Sequence, residues 1–293
     1  MTADALRRWK DDLHSIASTQ GVSQRDVVRQ LCLHLPSWPR QTLLAEAAPF
    51  GLRQIISERL ENRRRHAEDL GISLGRPARE MAASSLPHQL RSAEWVVKTC
   101  DEDLAATYEQ HFHYMGCPRD DSILRMGLYA EPDEMSPTVY AAVSRCDRQH
   151  VADAVSEALG LTVPLTRIAT LTRVFGNQLA GSNATSALVA TVSRRLNDLG
   201  FTILVTAVNP FLGFSGASMR ASGFVPFALA DVYYGYDRRG HYCTRRQSGS
   251  TSVSPAVWVP PRNILMVRST GAPTRRHVHR TTAIAVIAPD PDC

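Results

Sequence analysis

The residues best arranged for chemistry are Leu171-Thr172-Arg173-Val174-Phe175, followed by Gln178-Leu179-Ala180-Gly181-Ser182-Asn183 and then a long helical stretch. A strand that passes through a glycine- and serine-containing loop into a helix leaves unpaired backbone N–H groups at the positive end of the helix dipole. That end holds an anion, typically a phosphate or pyrophosphate. The plainer account of the same residues is an ordinary helix with Ser182 as its cap. A second group is His111-Phe112-His113-Tyr114, because imidazole changes charge near neutral pH and suits proton transfer. No metal site is expected at His111 and His113 or at His277 and His279. The six cysteines, Cys32, Cys100, Cys117, Cys146, Cys243 and Cys293, are scattered without a CxxC pair. Neither a zinc ribbon nor a disulfide framework is expected, and each cysteine reads as a small buried hydrophobe.

The chain that must position these residues is 293 residues long, 44% hydrophobic and 21% charged. That composition is globular and excludes the collagen-like, disordered and coiled-coil classes. Its length suits one large domain or a domain with a smaller module. No stretch approaches the ~20 uninterrupted apolar residues of a membrane helix, and the first residues carry charges where a secretory signal has its apolar core. A soluble, cytoplasmic protein with no membrane partner is expected. The net charge is +5, and of the 33 lysines and arginines only Lys10 and Lys98 are lysine, which leaves 31 arginines. A guanidinium binds phosphate through two parallel hydrogen bonds and stacks on bases, which an ammonium cannot do. DNA or tRNA is therefore admissible as a partner, although a charge of this size does not demand one.

Residues 1–100 read as a helical, basic region. Ser23 stands three residues before Asp26 at the head of one helix, a capping-box spacing, and a later helix runs into Arg63-Arg64-Arg65. That arginine run is either a solvated helix face or a phosphate-binding one. From residue 101 strands alternate with helices. Residues 123–129 and 138–144 read as strands joined by an acidic turn, 149–161 as an amphipathic helix and 165–175 as a strand. A long helix starts after Ser182 and stops at Gly200, and 201–208 is the nearly all-apolar run of a central strand covered on both faces. A short helix at 216–222 and a hairpin from 233–236 and 241–245 complete an α/β unit spanning 101–247, a mixed sheet flanked by helices. The remainder, 248–293, is a tail rich in Ser, Thr and Pro at its start. Its strands, 264–267 and 283–288, read as a terminal hairpin around Arg275-Arg276-His277-Val278-His279-Arg280.

Strand, Q-x-x-G-x-N loop, helix, apolar strand and then Phe214-Ser215-Gly216-Ala217-Ser218-Met219-Arg220-Ala221-Ser222-Gly223-Phe224 resembles the GNAT acyltransferase fold over about residues 106–246. Within that fold the chain is similar to the Mom-like proteins, phage enzymes that modify adenine in DNA. The segments that carry this are His111-Phe112-His113-Tyr114, Thr172-Arg173-Val174 with Ser182-Asn183, and Val208-Asn209-Pro210 running into Leu212-Gly213-Phe214 and Met219-Arg220-Ala221. The resemblance implies a GNAT-like mixed sheet and transfer of an acyl or aminoacyl group to an amine, with Gln178, Gly181, Ser182 and Asn183 around the donor's pyrophosphate. Two departures stand out. Asn183 occupies the place of a small residue, and Asn209 that of an aspartate.

Acyl transfer needs a base for the amine proton, donors at the developing oxyanion and an acid for the leaving group. His113 is the leading base, Tyr114 orients it or acts as an acid, Arg173 meets negative charge, and Ser182 and Asn209 complete the expected catalytic set. Asn209 is an amide and cannot act as the base. The acyl donor is expected to be acetyl-CoA or an aminoacyl-tRNA, and the acceptor a nucleic-acid base, held partly by Arg63, Arg64, Arg65, Arg275, Arg276 and Arg280. The competing readings are an N-acyltransferase of small-molecule assembly and a non-catalytic nucleic-acid binder.

Overall fold

Runs of β-branched and aromatic residues build one mixed sheet whose two faces are buried by different helices. The structure, a computed structural model, describes residues 11, 14–19, 24, 27, 61–62, 65–70, 95–113, 115, 118–176, 180, 183–210, 214–230, 233–236, 242–243, 257–258, 262–271 and 285–287. Its strands are β1 (Val96–Thr99), β2 (Ser122–Tyr129), β3 (Val139–Arg145), β4 (Ile168–Gly176), β5 (Ile203–Val208), β6 (Val225–Ala230), β7 (Tyr233–Tyr236), β8 (Tyr242–Cys243), β9 (Val257–Trp258), β10 (Asn263–Ser269) and β11 (Ala285–Ile287). The main sheet has the order β1-β2-β3-β4-β5-β10-β6-β11, and a small one has the order β8-β7-β9. The helices are α1 (Glu102–Thr107), which continues as a π-helical turn (Tyr108–Phe112), α2 (Gln149–Leu159), α3 (Ala184–Asp198) and α4 (Ala217–Ala221). This is the mixed, helix-flanked sheet that the resemblance implies.

Described residues 14–19 and 65–69 are helical, in keeping with a helical N-terminal region. Residues 96–99 differ, because Val-Val-Lys-Thr is a β-prone run that pairs antiparallel with β2, from Val96 opposite Tyr129 to Thr99 opposite Met126. The strands of the tail form, but not as a hairpin. β10 enters the sheet between β5 and β6, antiparallel to both, and β11 runs parallel to β6. In the sheet centre β10 buries Met266 against one face and Val267 against the other, a burial that a terminal hairpin would not provide.

On one face, Leu188, Val192 and Leu196 of α3 recur at four-residue spacing and pack on Leu128, Val143 and Leu204. Each such buried side chain contributes about 1.5–3 kcal/mol. The opposite face is covered in two separate places. Val155 and Leu159 of α2 pack on Ile168, Ile203 and Val205, while Tyr108 and Phe112 of the π turn pack with Tyr140 and Ala142 of β3.

The sheet is continuous only at its base. β4 and β5 are parallel neighbours, yet they pair only at Ile168, Ala169 and Thr170 opposite Ile203, Leu204 and Val205. Beyond that point β4 stays with β3 as far as Gly176 opposite Val139, and β5 stays with β10 as far as Val208 opposite Ile264. The result is a fork in the middle of the sheet. At its apex the buried Thr206 hydroxyl donates to the Leu171 carbonyl across 3.0 Å, a side-chain bond where the ladder has ended. Thr206→Val keeps the shape and removes that donor. Urea unfolding should then show a loss of about 1–3 kcal/mol, the cost of a buried polar group left short of a partner, and Thr206→Ser should recover most of it. An unchanged unfolding midpoint in Thr206→Val would contradict this role.

Candidate active site at the fork

Arg173 reaches the fork because β4 carries a bulge. Val143 faces Leu171 and Ala142 faces Arg173, so Thr172 is the extra residue, and its hydroxyl donates to the Ala142 carbonyl at 3.1 Å. A bulge shifts the in-out alternation by one. Before it, Ala169 and Leu171 point into the α3 core; after it, Val174 does, and Phe175 joins the π-turn cluster on the other face. Arg173, paired with Ala142 of that cluster, shares the π-turn face. Without the bulge its charge would enter the α3 core. Arg173 is buried, and its Nη1 donates to the Thr172 carbonyl at 3.0 Å.

The β5 arm is open on the same face. Leu204 and Val208 point to α3 and Ile203 and Val205 to α2, so the alternation sends Ala207 to the α2 side. Ala207 is nevertheless exposed, in the second half of a strand flanked by buried neighbours. α2 covers the lower part of β5 and stops short of it. Asn209 is the first residue beyond β5 and is buried; its backbone carbonyl accepts from the Phe214 amide.

The head of α3 lies at the mouth of the fork, since Thr185 Oγ1 is 3.8 Å from the Cβ position of Gly176, the last residue of β4. Asn183 is the N-cap residue, exposed, and its side chain makes no capping bond. The first N–H groups of the helix therefore receive no oxygen from it, which suits an anion. Ser186 in the first turn meets Ser222 at the end of α4, with hydroxyl oxygens 3.4 Å apart.

His113 stands on the β4 side of the fork. It follows the π turn, its backbone N–H donates to the Tyr108 carbonyl at 2.9 Å, and its ring is buried. The preceding Phe112 stacks on Phe175 of β4 with centroids 5.5 Å apart, which sets His113 beside the arm that carries Arg173. The Met115 amide donates to His113 Nδ1 at 3.3 Å. A neutral imidazole whose Nδ1 accepts carries its proton on Nε2. In that tautomer His113 offers Nε2–H as a hydrogen-bond donor.

His113, Arg173 and Asn209 thus belong to the parts that border the fork, and Asn183 heads the helix at its mouth. Tyr114, Gln178, Gly181 and Ser182 lie outside the described residues, as do Arg63, Arg64, Arg275, Arg276 and Arg280. Arg65 is exposed on the helical segment 65–69, and its Nη2 donates to Asn62 Oδ1 at 2.9 Å. Cys100 and Cys146 are free and buried, and burial pushes the Cys100 thiol up to about 11, far from a reactive thiolate. Among the described residues no three His, Cys, Asp or Glu side chains are grouped to hold a metal, and no helix is long and apolar enough to cross a membrane.

Sequence reasoning missed Thr206, Ala207 and Glu109. Glu109 is almost completely buried in the π turn; Tyr140 Oη–H donates to its Oε1 at 2.7 Å and the Arg119 backbone N–H to its Oε2 at 2.6 Å. Burial, then the Glu109 carboxylate, raises the Tyr140 phenol well above its ordinary value, so it stays a donor. Nothing in Glu-Gln-His-Phe marks that glutamate as buried, because a π turn shifts helical faces and has no composition signal.

No protein-family model and no curated protein matches the chain. Among solved structures it is similar to the ribosomal-protein-S18-alanine N-acetyltransferase from Escherichia coli, at 12% identity over 61% of this chain and 95% of that one with a TM-score of 0.36. It is also similar to a GNAT superfamily phosphinothricin acetyltransferase from Sinorhizobium meliloti in complex with AcCoA, at 14% identity over 65% and 98% with a TM-score of 0.35. A third is the ribosomal-protein-alanine N-acetyltransferase from Brucella melitensis, at 12% identity over 59% and 99% with a TM-score of 0.35.

The π turn also meets the N-terminal region. The His111 and His66 rings stack with centroids 3.7 Å apart, and burial, then the neighbouring His66, lowers the His111 pKa to about 4 from the ordinary 6.5. Between those values the unfolded chain binds a proton that the folded one does not, so stability falls as pH drops from about 6.5 toward 4. His111→Phe keeps a stacking ring and removes that titration. Its melting temperature should vary less than the wild type's across this window, and identical pH profiles for the two proteins would contradict the assignment.

Proposed function

We propose that the protein is an N-acyltransferase, an enzyme that moves an acyl or aminoacyl group from an activated donor to an amine, with the fork between β4 and β5 as its cleft. The observation that carries this reading is the fork itself. It is floored by exposed Ala207, walled by Arg173 and Asn209, and headed by an α3 terminus that Asn183 leaves uncapped. A strand fork in a sheet's interior admits an extended donor between its arms, and a helix head at the mouth suits its phosphates. The resemblance carried by Thr172-Arg173-Val174 and Phe214 to Phe224 points the same way.

In the reaction, the amine nitrogen attacks the donor carbonyl. A C–N bond forms, the C–S bond of acetyl-CoA or the C–O bond of an aminoacyl-tRNA breaks, and the amine proton finally resides on the departing sulfur or oxygen. Charge develops on the carbonyl oxygen, and preorganised donors aimed at it are the strongest lever available to a protein. Arg173 and the Nε2–H of His113 fill that role; in this tautomer His113 does not serve as the base expected from its sequence, because its Nδ1 lone pair accepts from the Met115 amide and its Nε2 carries the proton. The Asn209 carboxamide orients the amine by hydrogen bonding and takes no proton from it, so the amine proton passes to water, which reaches the cleft at exposed Ala207, and a proton is delivered to the departing sulfur or oxygen by Tyr114 as the acid of the leaving group.

The acceptor in this reading is an amine of a nucleic-acid base, supported by a cation set of 31 arginines and two lysines and by the Mom-like segments. Purified protein, labelled acetyl-CoA or labelled aminoacyl-tRNA, and duplex DNA should yield labelled DNA. Arg173→Ala should lower the rate by about 10²–10³, the usual cost of one oxyanion donor. Replacing Arg63, Arg64 and Arg65 with Ala should flatten the salt dependence of DNA binding, which scales as about −0.9 per phosphate neutralised, while leaving turnover at saturating DNA. Label found on small amines but never on nucleic acid, with unchanged salt dependence in the triple variant, would move the assignment to small-molecule acylation.

A further inference from the structure

We infer that Glu109 is a positioning residue of this cleft, holding His113 in its donor tautomer by tying both described ends of the segment that carries it. This rests on the reading of the fork as an acyl-transfer site. Glu109 is 1% exposed, and both of its oxygens are engaged, Oε1 by the Tyr140 hydroxyl at 2.7 Å and Oε2 by the Arg119 amide at 2.6 Å. Tyr140 is itself fully buried on β3, directly opposite Phe175 of the β4 arm. One oxygen thereby anchors the π turn to the sheet beside that arm. The other anchors Arg119, whose carbonyl accepts from Arg125 Nη2 on β2 at 2.7 Å. Between these anchors lies His113, with its own amide bonded to Tyr108 and its Nδ1 accepting from Met115.

Fold stability alone gives little reason for this arrangement. A buried carboxylate loses its hydration, and the repayment it receives from neutral donors is commonly matched by well-packed apolar side chains. What an apolar residue cannot do is accept two hydrogen bonds at once from the sheet and from the returning chain. Glu109 never reaches the cleft, so its effect on the reaction passes through His113: the Met115 amide stays on Nδ1 only while the turn keeps its shape, and the proton then stays on Nε2.

The test reads the imidazole directly in the full-length protein labelled with ¹⁵N-histidine, the His113 resonances being assigned by their loss in His113→Gln. Long-range ¹H–¹⁵N spectra distinguish the two neutral tautomers. Wild type should show the Nε2–H pattern for His113. Glu109→Ala should convert it to a mixed or exchange-broadened pattern, and Tyr140→Phe, which releases one of the two ties, should do so in part. Glu109→Gln, whose carbonyl oxygen still accepts from the Arg119 amide, should retain more of the wild-type pattern than Glu109→Ala. If Glu109→Ala does not fold, the comparison of Tyr140→Phe with Glu109→Gln decides. A wild-type His113 signature in folded Glu109→Ala, or in both of the milder variants, overturns the inference. Failure of the acyl-transfer reading shows elsewhere, as absence of labelled product with His113 still responding to Glu109.

Discussion

Everything proposed for this protein depends on a ladder that stops. β4 and β5 share three residue pairs and then part, each keeping its outer neighbour. A parallel pair that loses its hydrogen bonds in a sheet interior must satisfy the freed backbone groups by other means. Thr206 serves the Leu171 carbonyl at the apex, and the bulge at Thr172 re-aims the chain beyond it. The same bulge that bends β4 moves Arg173 out of the α3 core and onto the face where α2 leaves Ala207 uncovered. One irregularity in pairing thus sets both the opening and the charge beside it.

The second constraint is how the open face is roofed. α2 and the π turn cover different parts of it, with the exposed Ala207 beyond the reach of α2. The π turn packs by aromatic contact, Phe112 on Phe175 at 5.5 Å and Tyr108 on Phe175 at 5.7 Å, so the His113 segment is registered against β4 rather than against the helices. Tyr108 and the His113 amide in it are bonded to backbone, and Glu109 to the sheet. This is the kind of local irregularity that costs helix hydrogen-bond quality and persists where the surroundings enforce it.

Much of the fold was legible because it follows local pattern. β2, β3, the apolar β5 and the α3 stripe of Leu188, Val192 and Leu196 lie where periodicity places them to within a few residues. Elements decided by distant partners were not. β1 is four residues long at the end of a region whose sequence reads as helical, and β6 carries Pro226, which has no N–H to give a ladder and sits where the β10 register shifts between Leu265 and Met266. β10 looks like part of a terminal hairpin because its sequence does not say that it will enter between β5 and β6. Arg173, Asn209 and His113 were singled out by type and motif, and the structure places Arg173 and Asn209 on the two arms of the fork. The fork, the tautomer implied by Met115 and the buried Glu109 were not, since each depends on which backbone atom ends up beside which side chain.

The chemistry proposed for the fork is the transfer of acyl groups onto amines. It is tested most directly by mass spectrometry of nucleosides and small amines from cells carrying the intact gene, the gene with Arg173→Ala, or no gene. Acyl transfer at the fork predicts a species heavier by an acyl or aminoacyl group on an amine nitrogen, most of all on a DNA base, in the first cells and absent or strongly reduced in the other two. Indistinguishable nucleoside and amine profiles in all three, with the protein present and folded, would contradict it.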